Sequence, residues 1–169
     1  MSYLIEQRLV SLVDLDAFFA AVEVLERPNL RDLPVLIGGS PSSRGVVAAA
    51  SYEARQFGIH SAMPMSQAVR LCPQAVVLRP RFDLYRQYSR EVMAILRTVT
   101  KELEQTSIDE AYLELTPVIT CAMEAEQIIR VVQRFIEPYS QLKATFPVNN
   151  LSRQSFSSKK TGGYMILLA

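Results

Sequence analysis

Apolar residues repeat along this chain with two different periods, and the switches between them mark out the elements. Arg8 to Leu15 reads as a strand entering the core, and Ala17-Phe18-Phe19-Ala20-Ala21-Val22 then has the density of a buried helix. Asp16 stands between them, where a helix N-cap is expected. Two short apolar runs, Val35-Leu36-Ile37 and Val46-Val47-Ala48-Ala49-Ala50, flank Gly38 to Gly45 and predict a hairpin. Ser51 is placed to cap a helix over Tyr52 to Phe57 that Gly58 stops. Pro64 opens another helix, which carries Met65, Ala68, Val69 and Cys72 at helical spacing and ends at Pro73.

Ala75 to Leu78 predicts a further strand, and Tyr85, Tyr88, Val92, Ile95, Leu96 and Val99 mark the stripe of a long amphipathic helix. Leu103 to Ile108 and Ala111 to Leu115 are two adjacent strand-like runs, followed by a helix that uses Ile128, Ile129, Val132, Phe135 and Ile136. This alternation predicts an α+β fold, with helices packed on one face of a mixed or antiparallel sheet and a small inserted lobe. From about Pro147 the pattern loses its period. Tyr164 to Ala169 is apolar again and reads as an added edge strand or an exposed sticky end.

A length of 169 residues allows one core, or a core plus a small lobe. No apolar run approaches the length needed to cross a bilayer, and Glu6 and Gln7 interrupt any signal-like start, so a cytoplasmic protein without a membrane partner is expected. Cys72 and Cys121 lack Cys-x-x-Cys spacing or a neighbouring His, which argues against zinc and disulfides. His60, the one histidine, follows Gly58-Ile59 in a turn-like setting, so histidine-centred catalysis is not expected. A net charge of +1 does not by itself announce nucleic-acid binding, and any DNA affinity must come from local patches.

Chemistry enters through acids set into apolar runs, at Val13-Asp14-Leu15-Asp16 and Ser107-Ile108-Asp109-Glu110. A carboxylate in such a place needs a cation, a basic partner or water. Asp14, Asp109 and Glu110 brought together would suit Mg²⁺, which takes a few carboxylates and keeps waters and substrate phosphates as its other ligands. Two such ions activate and clamp phosphoryl transfer. Each acid is equally readable as an ion-paired or solvated turn residue, and Asp16 fits a structural N-cap better than a metal ligand. Tyr52 and Arg55 are three residues apart and share a helix face near its start, a plausible triphosphate grip. An aromatic ring under a surface pair of Arg55 with Glu53 explains the same residues. The Gly38 to Gly45 loop lacks the Gly-Lys-Ser/Thr ending of a P-loop and reads as a hairpin connection.

Four segments in order resemble the Y-family translesion DNA polymerases, most of all bacterial DNA polymerase IV. They are Val13-Asp14-Leu15-Asp16-Ala17-Phe18-Phe19-Ala20-Ala21-Val22-Glu23, Ala50 to Ile59, Ser61-Ala62-Met63-Pro64 and Ser107-Ile108-Asp109-Glu110-Ala111-Tyr112-Leu113. The likeness covers roughly residues 9 to 143. It implies a palm split into residues 1–26 and 82–169, with a fingers insertion over 27–81. It also implies that Asp14, Asp109 and Glu110, with the backbone carbonyl of Leu15, hold two Mg²⁺ ions for attack of a primer 3′-hydroxyl on an α-phosphate. Phe19 matches the steric gate that excludes a ribose 2′-hydroxyl. Tyr52 and Arg55 match contacts to the incoming deoxynucleoside triphosphate, and Ser107 matches a motif position beside the acids.

Two departures qualify the match. Ala49 stands where many relatives carry a threonine. Residues 152–163 only faintly echo the late palm segment, where Lys159 or Lys160 is the candidate for the family's triphosphate lysine. The chain stops before the thumb and little-finger domains that grip DNA in relatives, so weak primer-template binding is expected, with a sliding clamp a candidate partner for a full-length parent. The competing readings are a non-catalytic palm and fingers remnant that binds or regulates a partner, and a palm-type cyclase.

Overall fold

The computed structural model describes residues 9–118, 127, 128, 130, 131 and 164–168. Contacts divide the chain into two units, Met1–Asp16 with Ser89–Ala169, and Ala17–Tyr88. This division by packing differs from the palm and fingers boundaries that the family likeness implies. The elements follow the predicted order closely, and the departures are local.

The first unit is built on a four-stranded sheet. Strand β1 (Leu9–Asp14) lies between β6 (Glu110–Glu114), antiparallel to it, and the C-terminal strand β7 (Tyr164–Leu168), parallel to it, while β5 (Leu103–Gln105) flanks β6. The apolar end of the chain is therefore an edge strand, the first of its two expected fates. Alternation puts Ser11, Val13 and Leu15 of the β1 segment, and Ala111, Leu113 and Leu115 of the β6 segment, on the buried side. Helix α4 (Phe82–Val99) contributes Ser89, Val92, Met93 and Leu96 as buried residues of this unit. Thr100, at its end, donates to the Glu114 carbonyl at 2.9 Å and accepts from the Glu102 N–H at 3.2 Å, which ties the helix exit to β6. Of the predicted helix after the sheet, residues 127–128 and 130–131 are helical; Ile129, Val132, Phe135 and Ile136 lie outside the described residues.

The second unit holds a three-stranded sheet that the alternation did not anticipate. Strand β2 (Val35–Gly38) pairs antiparallel with β3 (Val47–Ala50), the expected hairpin, and parallel with β4 (Val76–Leu78). Leu36 joins a cluster with Val47 and Ala50 of β3, Ala54 of α2 (Tyr52–Arg55), Met65 and Ala68 of α3 (Met65–Leu71), and Ile59, Met63 and Cys72 beside these helices. Val35 and Ile37, also fully buried, face the opposite way, and helix α1 (Phe18–Glu26) packs against β2 and β3. Burial on both faces explains why β2 is an unbroken apolar run. The glycine-rich connection is there for close approach: a Cβ on Gly38 would collide with the Val46 carbonyl oxygen and would sit 2.7 Å from the Met65 methyl.

Ser51 caps α2 as expected, and the structure gives it more to do. Its Oγ accepts from the N–H groups of Ala54 at 3.4 Å and Val35 at 3.1 Å and donates to the Leu33 carbonyl at 3.3 Å, so one buried hydroxyl joins a helix start to a strand start. Ser51→Ala leaves the buried Val35 N–H without this acceptor and is expected to cost about 2 kcal/mol, read as a lower urea midpoint at unchanged slope. The helix itself is a single turn, and Gly58 with φ +76° closes it by donating to the Arg55 carbonyl at 2.9 Å.

One expected cap is corrected. Helix α1 begins at Phe18, and its N-cap is Ala17, in the left-handed region at φ 50° and ψ 30°, with no side-chain capping bond; Asp16 is a turn residue. The tight reversal after β1 puts the non-helical residue one position later than an aspartate cap requires.

Candidate active site

Register brings the two acidic stretches together within the first unit. Asp14 stands directly opposite Glu110 in the antiparallel β1–β6 pair, and the Leu15 N–H donates to the Asp109 carbonyl at 2.9 Å. Asp14, Glu110 and Tyr112 share the half-buried side of the sheet, while Val13, Leu15 and Ala111 fill its core. Two acids facing each other across a ladder repel unless a cation or other donor lies between them.

The second acidic turn is braced by its own neighbours. Ser107 donates from Oγ to Asp109 Oδ1 at 2.5 Å, and the Asp109 N–H returns a bond to Ser107 Oγ at 3.2 Å. The N–H groups of Thr106 and Ser107 both point at the Glu110 carbonyl, at 3.1 and 3.4 Å. Gln105 holds the turn from the side, donating to the Ser107 carbonyl at 2.8 Å and to Ser89 Oγ on α4 at 3.2 Å. Ser107 thus fixes one oxygen of Asp109. Gln105, which no motif or spacing marks out, fixes the turn that carries it.

Among the described residues, no group of three or more His, Cys, Asp or Glu is placed to hold a metal ion by itself. The donor set nevertheless fits Mg²⁺, which is held by one or two carboxylates with waters and substrate phosphates completing its shell. The donor proposed at Leu15 is a main-chain carbonyl, so burial of the Leu15 side chain does not remove it.

The nucleotide candidates all fall in the second unit. Tyr52 and Arg55 share the face of α2, with the Arg55 guanidinium 5.4 Å from the centre of the Tyr52 ring and its Nε donating to the Ala50 carbonyl at 3.1 Å. The anion-binding helix start expected there is only one turn long, and the Ala54 N–H is already taken by Ser51, so Arg55 carries most of any phosphate affinity. Phe19, half-buried on α1, lies flat against Tyr85 of α4, with ring centres 4.4 Å apart and planes 12° from parallel. Lys159 and Lys160 lie outside the described residues, as does Cys121. His60 is exposed, its Nδ1 2.9 Å from the Ser61 carbonyl, and takes no part in either group.

A second polar group, not singled out from the sequence, is bonded to Tyr85, the ring stacked on Phe19. The side chain of Glu23 is fully buried and is gripped by Arg81, from Nε at 2.9 Å and Nη2 at 2.7 Å, while the Tyr85 hydroxyl donates to it at 2.7 Å. Burial pushes the Glu23 carboxyl up, but the hydrogen bonds from Arg81 and Tyr85 and the charges of Arg81 and Arg27 outweigh it and hold the group below the ordinary carboxylate value. Burial and the bond to Glu23 push the Tyr85 phenol upward, so it remains a neutral donor. A lone Glu inside the apolar run Phe18 to Leu25 was the one available signal.

A four-stranded mixed sheet with three carboxylates at the end of its β1–β6 pair, joined in sequence to a small α/β unit that carries an arginine and tyrosine pair, defines a chain of the polymerase palm and fingers type. Solved structures agree. DinB from Sulfolobus solfataricus matches 94% of this chain and 47% of its own, at TM-score 0.75 and 28% identity; the insertion ternary complex of Dbh DNA polymerase matches 76% and 38%, at 0.69 and 31%. This chain belongs to the impB/mucB/samB family, whose model matches residues 13–148. It is 50% identical to a DNA polymerase IV of Alkalilimnicola ehrlichii over 143 residues, 85% of this chain and 40% of that protein. It is 42% identical to a DNA polymerase IV of Staphylococcus aureus over 158 residues, 94% of this chain and 43% of that one. The chain therefore spans less than half the length of these relatives. Among the described residues no helix is long and apolar enough to cross a membrane.

Proposed function

We propose that this chain carries the catalytic palm (residues 1–26 and 82–169) and fingers (27–81) of a translesion DNA polymerase, which extends a primer by template-directed nucleotidyl transfer. The observation that carries the reading is the cross-strand pairing of Asp14 with Glu110, with Asp109 adjoining. Asp14, Asp109, Glu110 and the Leu15 carbonyl are the proposed ligands of two Mg²⁺ ions. Bound there, the metal would ease deprotonation of a primer 3′-hydroxyl and offset negative charge on the transferring phosphorus.

The protein's own part is positioning. Ser107 holds one Asp109 oxygen in place, Arg55 offers a planar fork to triphosphate oxygens, Tyr52 supports that fork, and Phe19 lies under the sugar where a 2′-hydroxyl would collide with it. Primer-template DNA and a deoxynucleoside triphosphate are the proposed substrates. The test is titration of the full chain with a deoxynucleoside triphosphate, with and without Mg²⁺. Binding that appears only with the metal is the expected result, and binding indifferent to Mg²⁺, or none, overturns the reading.

A further inference from the structure

Within the second unit, Phe19 is linked through Tyr85 to a buried ion pair. Phe19 and Glu23 are one helical turn apart on α1, Phe19 stacks on Tyr85 at 4.4 Å, and the Tyr85 hydroxyl reaches back to Glu23 at 2.7 Å. Arg81, one turn before Tyr85, locks the Glu23 carboxylate with two bonds, and Arg27 stands 3.9 Å from the same group. Phe82 meets both rings edge-on, at 5.9 and 6.1 Å. The ring stacked on Phe19 is thus tied to a fully buried carboxylate.

We propose that Glu23, locked by Arg81 and acting through Tyr85, is the positioning residue that makes Phe19 an effective discriminator between deoxyribose and ribose. The inference rests on the proposed role of Phe19 as the ring beneath the sugar. A steric exclusion is only as strong as the cost of moving the excluding group. An unsupported phenylalanine escapes a clash by tilting off its rotamer, which limits the discrimination it can enforce. Phe19 cannot tilt into the space held by Tyr85 unless Tyr85 moves too, and Tyr85 cannot move without breaking its bond to a carboxylate fully buried under Arg81. Charge-assisted bonds to a planar guanidinium suit this task, because they fix an angle as well as a distance.

The test compares dissociation constants for guanosine triphosphate and deoxyguanosine triphosphate with Mg²⁺, in the full wild-type chain and in Tyr85→Phe, Glu23→Gln and Phe19→Ala. Tyr85→Phe keeps the stacked ring and removes only its hydroxyl, so it stands in where Glu23→Gln fails to fold. The ribose-to-deoxyribose ratio is expected to fall by about tenfold in Tyr85→Phe and in folded Glu23→Gln, approaching that of Phe19→Ala. A general loss of stability would weaken both nucleotides together and leave the ratio alone. A lowered ratio in Phe19→Ala with a wild-type ratio in Tyr85→Phe overturns the positioning role and spares the role of Phe19. An unchanged ratio in Phe19→Ala, or a wild-type chain that binds neither or does not discriminate, overturns both.

Discussion

Asp109→Asn is expected to abolish Mg²⁺-dependent nucleotide binding while leaving the fold in place. Asparagine keeps an oxygen that can accept from Ser107, so the turn between β5 and β6 loses only the charge assistance of that bond, about 1 kcal/mol. The metal loses an anionic ligand, and since even outer partners of metal ligands are worth 10- to 100-fold in affinity, a loss of at least roughly 100-fold is expected. Thermal unfolding separates the two effects. Mg²⁺ with nucleotide should raise the midpoint of the wild-type chain by mass action and leave that of Asp109→Asn unmoved. A variant that still gains stability from the metal would place the ion away from Asp109.

Arg81→Met is expected to be the most destabilising of the conservative surface-reaching substitutions, because it strands Glu23. The carboxylate would remain fully buried with the Tyr85 hydroxyl and the longer Arg27 contact at 3.9 Å, and a buried charge stripped of its main partner costs about 3 kcal/mol or more, equivalent to roughly 10 °C in the thermal midpoint at this chain length. Glu23→Gln combined with Arg81→Met should recover most of that loss, since the glutamine carbonyl still accepts from Tyr85 and carries no charge to bury. A double variant as unstable as Arg81→Met alone would show that packing of the guanidinium, not the charge, holds this corner.

The pH dependence carries the same signature. Glu23 sits below its ordinary value of 4.5 in the folded chain, so its contribution is complete above about pH 4.5 and lost as the pH falls through the folded value. Without Arg81 the lowering influence is largely gone and burial dominates. The deficit of Arg81→Met should then be greatest at neutral pH and shrink in acid, as protonation neutralises the stranded group.

What could be read in advance follows from how far apart the interacting residues lie. The stripe from Tyr85 to Val99, the hairpin about Gly38 to Gly45 and the Ser51 cap are local, and local periodicity or turn chemistry specifies them. The Asp16 cap failed because aspartate's preference for that position is a tendency, and nothing in Asp16-Ala17-Phe18 marks an alanine at positive φ. The parallel pairing of β2 with β4 depends on a crossover through two helices and leaves no local trace. The same holds within the sites. The residue types at Asp14, Asp109 and Glu110 pointed to metal, but only strand register sets Asp14 against Glu110. The strongest partner of Glu23, Arg81, lies 58 positions away, beyond what local spacing can point to.

The strand that carries Asp14 also has a history in time. One flank of β1 is completed by β7, with Leu9 opposite Tyr164, so the second partner is made long after the first. At roughly 5–20 residues per second, the ribosome needs about ten seconds or more between exposing the first and supplying the second. Until β7 emerges the acid-bearing strand has an open edge, so correct assembly of this sheet depends on how well that edge is guarded before its partner is made.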